Sequence, residues 1–364
     1  MEPRTVFRGL AQRVVYSYLR QLPDEPALSG PSEMQASQIE LHGFFCDYYQ
    51  RAYDQPETFG LPVTEDLCTG QGASKEEKRA VATQTKKVRV KMGHGLDFVY
   101  LAGQQGKVVD RGLEMGREDY DAFLSKNARA KRKSLDGLRE VGLGVDEEDG
   151  VIRVTNTRYP HMMPALQALV KACQARDDKA AQQMLFARCD LRALEPDYWP
   201  EALDVLRAVM PSSAYEHAVR LHHMLGEMGY KPNLRFANVF DWKVEYQGSR
   251  KIKSTPFFEF EYDDRQKVQL VMRVKCASTN RLVPLLSQQP VSLQQDFYEH
   301  AHNCGAPKCD WCKTRKSLGP SVLEWDDSKK TICWWMQRHF RKVNGEAVEM
   351  VRHYALFHEA LVAT

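Results

Sequence analysis

Apolar residues near the start of the chain recur at the spacing of a helix. The segment 4–22 is amphipathic and rich in arginine, and one of its faces carries an apolar residue at every fourth position. These residues are Val6, Leu10, Val14, Tyr18 and Leu22. We predict a first helix docked on the body of the protein. A transit peptide is the alternative, whereas the apolar core and cleavage site of a secretory signal are absent.

Alternating apolar positions further along predict strands. Residues 86–92 and 96–103 are rich in β-branched and aromatic side chains. Such runs are typical of strands when glycines bound them. We therefore predict two strands joined at Gly93, His94 and Gly95.

A helical pattern then extends over residues 117–141, and a predicted hairpin follows it. Asp149 and Gly150 are the turn signal of this hairpin, because an Asp-Gly pair readily adopts the two positive φ angles of a tight turn. Apolar helical segments continue from there to Gly229.

Particular residues mark two helix starts and one helix end. Ser213 and Glu216 have the spacing of a capping box, and Gly229 is the expected stop of the same helix. Ser292 with Gln295 predicts a second capped helix start.

Three β-rich runs after Gly229 predict an antiparallel meander, followed by the helix at Ser292, a further strand or hairpin, and a final helix over 346–360. Strands and helices alternate in blocks, which indicates the α+β class. We predict two sheet-plus-helix modules joined by a helical region. The predicted parts are an N-terminal helical region and linker at 1–83, a first α+β module at 84–176, a helical connector at 177–230 and a second α+β module at 231–364.

Composition is that of an ordinary globular protein. The 364 residues include 43% hydrophobic and 27% charged residues, and 51 basic against 48 acidic residues leave a net charge of +3. No global charge therefore drives the chain onto nucleic acid or an anionic membrane. No apolar run approaches the roughly 20 residues of a membrane helix. An odd count of nine cysteines, five of them scattered, argues against a secreted disulfide framework and for a reducing compartment.

Four cysteines near the C-terminus have the spacing of a metal site. Cys304, Cys309 and Cys312 follow a Cys-x4-Cys-x2-Cys pattern, and Cys333 lies further along. Zinc favours four soft ligands in a tetrahedron, and thiolates supply such ligands. We predict a zinc knuckle in the second module, held by these four cysteines. A four-cysteine site leaves no open coordination position, so the predicted zinc is structural.

The fourth ligand and the chemistry of this segment stay open. His300 or His302 could replace Cys333 as the fourth ligand. Cys309 and Cys312 also suit a dithiol redox pair, because nearby cations lower the pKa of a thiol. The remaining alternative is that the four cysteines bind no metal and carry out no redox chemistry.

Two sequence blocks resemble a known family. One block runs from the GYKP entry of the meander to the CGAPKCDWC segment, and the other is VGLGVDEEDGVIRVTNTRYPHMMPALQALV. Over most of residues 90–335 the chain resembles a family of uncharacterised proteins common in clostridia and related Gram-positive bacteria. The resemblance implies a bacterial protein whose cysteine site belongs to the fold. That family has no established activity, so the resemblance implies no catalytic residue.

A basic cluster lies in the predicted helix at 126–140, ahead of the hairpin. Its members are Lys126, Arg129, Lys131, Arg132 and Lys133. A helix followed by a hairpin is the arrangement of a winged helix, and the cluster could contact phosphates. Short basic runs are more often solvated faces, so this interpretation is an alternative.

Two further groups of residues suggest a metal or ligand site, but ordinary positions on a helix surface or in a core explain them better. Glu216, His217, His222 and His223 share a helix, but His217 and His222 are five positions apart and point away from a common metal. An aromatic-rich sheet could stack a planar ligand, although alternating aromatic residues in strands usually form a core. These aromatic residues are Phe240, Trp242, Tyr246, Phe258, Phe260 and Tyr262.

Signature motifs of nucleotide-binding enzymes, serine hydrolases and zinc proteases are absent, which counts against an enzyme. We predict a cytoplasmic binding or interaction protein with a structural zinc ion, whose partner is an unknown small molecule or protein. One alternative is a nucleic-acid-binding regulator that uses residues 126–140. The other is a thiol oxidoreductase that uses Cys309 and Cys312.

Overall fold

A computed structural model describes most of the chain and divides it into two compact units. The described residues are 9–62, 74–237, 242–248, 257–263, 269–277, 279–304, 321–333 and 335–363. The first unit takes the described residues up to Trp199, and the second takes nearly all of those from Pro200 onwards. The four-part division predicted from the sequence stays a prediction.

The first unit combines helices with an antiparallel sheet. Its helices are α1 Leu10–Leu19, α2 Gln35–Asp54, α3 Lys75–Gln105, α4 Arg117–Ser125, α5 Ala128–Arg139, α6 Met163–Gln174 and α7 Lys179–Ala187. Its strands are β1 Lys107–Val109, β2 Gly112–Gly116, β3 Leu143–Glu148 and β4 Val151–Asn156. Short 3₁₀ turns occupy Ser32–Met34 and Leu191–Leu194. The described strands form one sheet in the order β1-β2-β4-β3.

Helix α3 corrects the prediction of two strands over 86–103, which is wrong. A capping box starts this helix, because the Ser74 hydroxyl accepts from the Glu77 backbone N–H at 3.1 Å and the Glu77 carboxylate accepts from the Ser74 N–H at 2.6 Å. Val88 and Met92 are fully buried four positions apart, whereas Val90 between them is 47% exposed. Their alternation with polar residues imitates a strand, but the burial follows the helical period.

The hairpin prediction is confirmed, and the helix before it is interrupted. Asp149 and Gly150 both have positive φ angles, 50° and 77°, in the turn between β3 and β4. The predicted helix over 117–141 is divided into α4 and α5 by Asn127, whose φ of 60° is left-handed. The β1 and β2 strands of the same sheet were not predicted.

Two glycines of α3 allow other helices to approach it closely. A Cβ atom on Gly95 would lie 2.3 Å from the Tyr48 hydroxyl oxygen, and one on Gly103 would lie 2.7 Å from Val170 Cγ2. Tyr48 is buried in α2, and its hydroxyl donates to the Met92 carbonyl at 3.2 Å. The core of the first unit therefore depends on α3 being a single helix.

The second unit places helices beside a longer sheet. Its helices are α8 Ala202–Val209, α9 Ser212–Glu227, α10 Thr279–Leu286, α11 Val291–His300 and α12 Gly345–Ala363. Its strands are β5 Lys231–Phe236, β6 Trp242–Gln247, β7 Phe257–Asp263, β8 Gln269–Ala277, β9 Ser321–Trp325, β10 Ser328–Ile332 and β11 Trp335–Phe340. In the described residues, one sheet has the order β11-β8-β7-β6-β5 and a separate hairpin pairs β9 with β10.

The α+β class and the meander are confirmed by these sheets. Gly229 ends α9 as predicted, with a φ of 83° and a bond from the Tyr230 N–H to the Leu225 carbonyl at 2.8 Å. Both later capping boxes are wrong, because α9 and α11 begin immediately after Pro211 and Pro290 without a side-chain cap. Proline fixes φ near the value that the helix start requires.

Candidate functional site

The predicted metal ligands Cys304 and Cys333 lie in a short pairing of two strands. Asn303 pairs with Ile332 in antiparallel fashion. The Cys304 N–H donates to the Thr331 carbonyl at 2.8 Å, and the Cys333 N–H donates to the His302 carbonyl at 3.1 Å. Side chains alternate along paired strands, so Cys304, Cys333 and His302 share one side of this pairing. We call these three residues the cysteine face.

Buried hydroxyl groups anchor the cysteine face on the fold. The Thr279 hydroxyl donates to the Cys333 carbonyl at 2.8 Å and lies 3.3 Å from the Ser321 hydroxyl. Thr279 is fully buried at the start of α10, and Ile332 is fully buried beside Cys333. The backbone that carries Cys333 is therefore fixed by the core of the second unit.

The two histidines considered as ligands differ in their surroundings. His300 Nδ1 lies 2.9 Å from the Asp296 carbonyl oxygen and 3.5 Å from the Asp296 carboxylate. That carboxylate also accepts from Arg338 at 3.0 Å and from the Tyr354 hydroxyl at 2.9 Å. His300 thus belongs to a polar network around Asp296, whereas His302 stands on the cysteine face.

Cys309 and Cys312 lie outside the described residues. Within the part of the chain that the structure describes, no group of three or more histidine, cysteine, aspartate or glutamate side chains is placed to hold a metal. The cysteine face on its own is therefore an incomplete ligand set. The four-cysteine assignment stays a prediction.

The α9 histidines and the aromatic sheet form packing contacts. His222 Nδ1 lies 2.9 Å from the Tyr246 hydroxyl oxygen, which fixes this histidine against the sheet. Trp242, Tyr246, Phe258 and Phe260 are each 1% exposed. Phe240 lies outside the described residues. The described part of the aromatic cluster is core and offers no open stacking surface.

The predicted basic cluster does not lie on one helix, because Lys126 follows the end of α4. The other four residues lie on α5 and form two groups. Lys131 donates to the Phe123 carbonyl, and its ammonium lies 4.3 Å from the centre of the Phe123 ring. Arg129, Arg132 and Lys133 are exposed and line a groove with Lys91 of α3.

A cavity that the sequence did not indicate lies against α3. It has a volume of about 590 Å³ and is lined by residues of α1, α3 and α7. Helix α3 contributes Arg89, Gly93, His94, Asp97 and Tyr100, which recur at helical spacing on one face. We call this space the α3 cavity.

The α3 cavity opens to solvent at one end and is closed by buried side chains at the other. Asp97 and Val90 are exposed at its edge, whereas Tyr18, His94 and Phe186 are buried. A Cβ atom added to Gly93 would find no atom closer than Asp97 Oδ2 at 4.0 Å. The space in front of Gly93 is therefore open.

Helix α7 is held firmly at the opposite wall. The Asp178 carboxylate caps its start by accepting from the Ala180 N–H at 2.7 Å. The Tyr49 hydroxyl donates to the Ala187 carbonyl at 2.6 Å, and the Phe186 ring meets the Tyr100 ring edge-on at 5.0 Å. These contacts place Lys179, Gln182 and Gln183 along the same wall; Gln182 donates to the Arg176 carbonyl at 2.6 Å.

Two titratable groups of the cavity are perturbed by their surroundings. Desolvation lowers the pKa of His94, and the nearby charges of Lys131 and Lys91 lower it further. His94 is 7% exposed, and its Nδ1 atom has no hydrogen-bond partner in the described residues. Desolvation raises the pKa of Asp97, and Lys131 opposes that shift.

Sequence reasoning missed the α3 cavity because it divided α3 into strands. A helical wheel over 81–102 would have placed Arg89, Gly93, Asp97 and Tyr100 together. The lining residues of α1 and α7 carry no motif of their own, so only the fold brings them to this face.

Comparison with protein-family models, with curated proteins and with solved structures finds no match. The resemblance to the clostridial family therefore stays a prediction. In the described residues, none of the helices combines the length and apolar character needed to span a bilayer.

Proposed function

We propose that the chain is a cytoplasmic binding protein for a small organic anion, which occupies the α3 cavity, and that a structural zinc ion stabilises the second unit. The observation that carries the proposal is the cavity itself, which is open at one end and closed by buried side chains at the other. Concave, largely preformed cavities with a few polar groups are the usual form of small-molecule sites.

Charge and polarity suggest the class of ligand. Arg89 and Lys179 bring two cations to the lining, and Asp97 brings its single carboxylate. Phe186 and Leu96 offer apolar surface. A ligand with an anionic group and an apolar body matches this lining.

The zinc part of the proposal rests on the cysteine face. The strand register brings Cys304 and Cys333 to one side, and Cys309 and Cys312 complete the set by their spacing. Four thiolates would hold a tetrahedral zinc ion that closes the site and stabilises the fold. All cysteines of the described residues are free thiols, which supports a reducing compartment. The thiol oxidoreductase stays an alternative because Cys309 and Cys312 also form a Cys-x2-Cys pair.

An aromatic sulfonate tests the cavity, because it carries an anionic group on apolar rings. We expect 8-anilinonaphthalene-1-sulfonate to bind the folded protein saturably, with one site seen as a rise in its fluorescence. Gly93→Leu should abolish this binding, since the new side chain fills the open space in front of Gly93. Arg89→Gln combined with Lys179→Gln should weaken it about tenfold.

Gly226→Leu is the matched control. Gly226 lies in α9 of the second unit, and a Cβ atom there meets nothing within 4 Å. This variant should bind the sulfonate as the unmodified protein does. Equal binding by Gly93→Leu and Gly226→Leu, or no saturable binding by the unmodified protein, would overturn the proposal.

A further inference from the structure

A second concave site lies against the face of α5 that carries Arg129, Arg132 and Lys133. It is a groove of about 960 Å³ lined by Gly60, by Lys91 of α3, by Asn127 and by residues of α5 between Ala128 and Asp136. We call it the α5 groove. None of the residues that line the α3 cavity also lines this groove, so the two sites are distinct.

The charge of the α5 groove is strongly positive. Its cationic residues are Lys91, Arg129, Arg132 and Lys133. Asp136 is the carboxylate in its lining, and Arg139 already pairs with it at 2.8 Å. Arg129, Arg132 and Lys133 stand three and four positions apart on α5, so the helical period places them on one side.

The wall opposite α5 is fixed by a glycine. Gly60 has a φ of 65°, and a Cβ atom there would lie 2.6 Å from Lys133 Cγ. The Lys91 ammonium donates to the Gly60 carbonyl at 2.5 Å. The loop is thus held against the aliphatic part of Lys133, and the groove is a built feature of the first unit.

The rest of the lining consists of small residues and one asparagine. Besides the charged residues, the groove is lined by Gly60, Asn127, Ala128 and Ala130. The lining therefore has neither an aromatic ring to stack a base nor an apolar wall to hold the body of a small molecule. Recognition at this groove therefore depends on the negative charge of the ligand, and several cations along one helix face match a series of phosphates.

We infer that the α5 groove binds the phosphate backbone of a nucleic acid without regard to its sequence. Arginine forks and lysine ammonium groups are the side chains that contact backbone phosphates in proteins. Contacts of this kind position a nucleic acid and carry no sequence information. Of the basic cluster that the sequence indicated, Arg129, Arg132 and Lys133 line the groove, whereas Lys131 contacts Phe123 instead. Lys91 of α3 adds positive charge to the lining while its ammonium donates to the Gly60 carbonyl.

Fluorescence anisotropy with a labelled DNA duplex of about 20 base pairs tests the inference. We expect binding at low salt whose affinity falls steeply as salt increases, because phosphate contacts release counterions. The variant R129Q/R132Q/K133Q removes three charges and keeps part of each side-chain stem. It should bind at least about tenfold more weakly, and the salt slope should fall by about 2 to 3.

The variant K107Q/R111Q/K171Q removes three exposed cations elsewhere in the first unit and is the matched control. It should bind DNA within about twofold of the unmodified protein. Circular dichroism should show that both variants are folded. Equal loss in the two variants, a salt-independent affinity or no binding at low salt would overturn the inference.

Competition with inorganic tripolyphosphate separates a nucleic acid from a free phosphate compound. A long backbone engages the groove at several phosphates in succession, so tripolyphosphate should displace DNA only in large molar excess. Displacement at equimolar phosphate would instead assign the groove to a compact polyphosphate and would overturn the assignment to nucleic acid.

Discussion

The α3 cavity and the cysteine face are built in different ways. The cavity is formed by the faces of three helices, and half of its polar residues come from α3. The cysteine face is formed by a single antiparallel pairing, in which Cys304 and Cys333 are brought together from 29 positions apart. A helix presents its residues to a site by its period, whereas strands do so by their register.

That difference explains what a local pattern can show. The cysteines were noticed because thiols are rare and their spacing is specific to metal sites. The residues of the α3 cavity are common types, and their grouping becomes visible only when the whole helix is known. A site with unusual chemistry is thus found from sequence, and a site made of ordinary residues is found from the fold.

Zinc removal is expected to have the largest effect and to act on the second unit. Binding of a structural metal is part of the folding free energy, so chelation should lower the free energy of unfolding of that unit by more than about 5 kcal/mol. Elemental analysis should find one zinc ion per chain, and Cys333→Ser should lose it. Cys46→Ser, which changes a free thiol of the first unit, should keep the metal. A metal-free protein with unchanged stability would contradict the zinc proposal.

Acid should destabilise the second unit through His358. Burial lowers the pKa of His358 from 6.5 to about 4, and its Nδ1 atom lies 3.0 Å from the Tyr230 hydroxyl oxygen and 3.9 Å from Glu359 Oε1. Between these two pKa values the unfolded chain binds a proton that the folded protein does not. Stability should therefore fall as pH decreases from about 6.5 to 4, by up to about 3 kcal/mol.

Urea unfolding at several pH values measures this effect by tryptophan fluorescence, since five of the six tryptophans lie from Trp242 onwards. His358→Gln should remove about half of the pH dependence in this range, because burial also lowers the pKa of His339 to about 4. An unchanged slope in that variant would assign the acid sensitivity to other groups and remove His358 from the account.

The packing of α3 predicts a smaller effect, confined to the first unit. Gly95→Ala places a methyl group against the buried Tyr48 ring, so it should lower the free energy of unfolding by about 1 to 3 kcal/mol. Gly93→Ala has open space and gains helix propensity, so it should be neutral or stabilising by up to about 1 kcal/mol. Thermal unfolding of both variants gives the comparison. Equal destabilisation would mean that α3 does not pack as described.

Much of the framework was accessible from sequence. The Asp149 and Gly150 turn, the stop at Gly229 and the meander depend on local backbone chemistry, which residue types reveal. Helix α3 could not be predicted from the sequence, because Gly93 and Gly95 resemble the glycines of a turn. In the structure both lie within the helix, where Gly93 borders the open cavity and Gly95 packs against Tyr48. Tertiary packing overrides local propensity at such positions.

The central claim is that the α3 cavity is the ligand site, and methyl NMR spectroscopy of the 8-anilinonaphthalene-1-sulfonate complex tests it most directly. Labelled valine and leucine methyl groups report which surface the probe touches. We expect saturable shifts at Val90 and Leu96, which line the cavity. Shifts confined to exposed apolar residues of the second unit, such as Val291 and Val322, would contradict it.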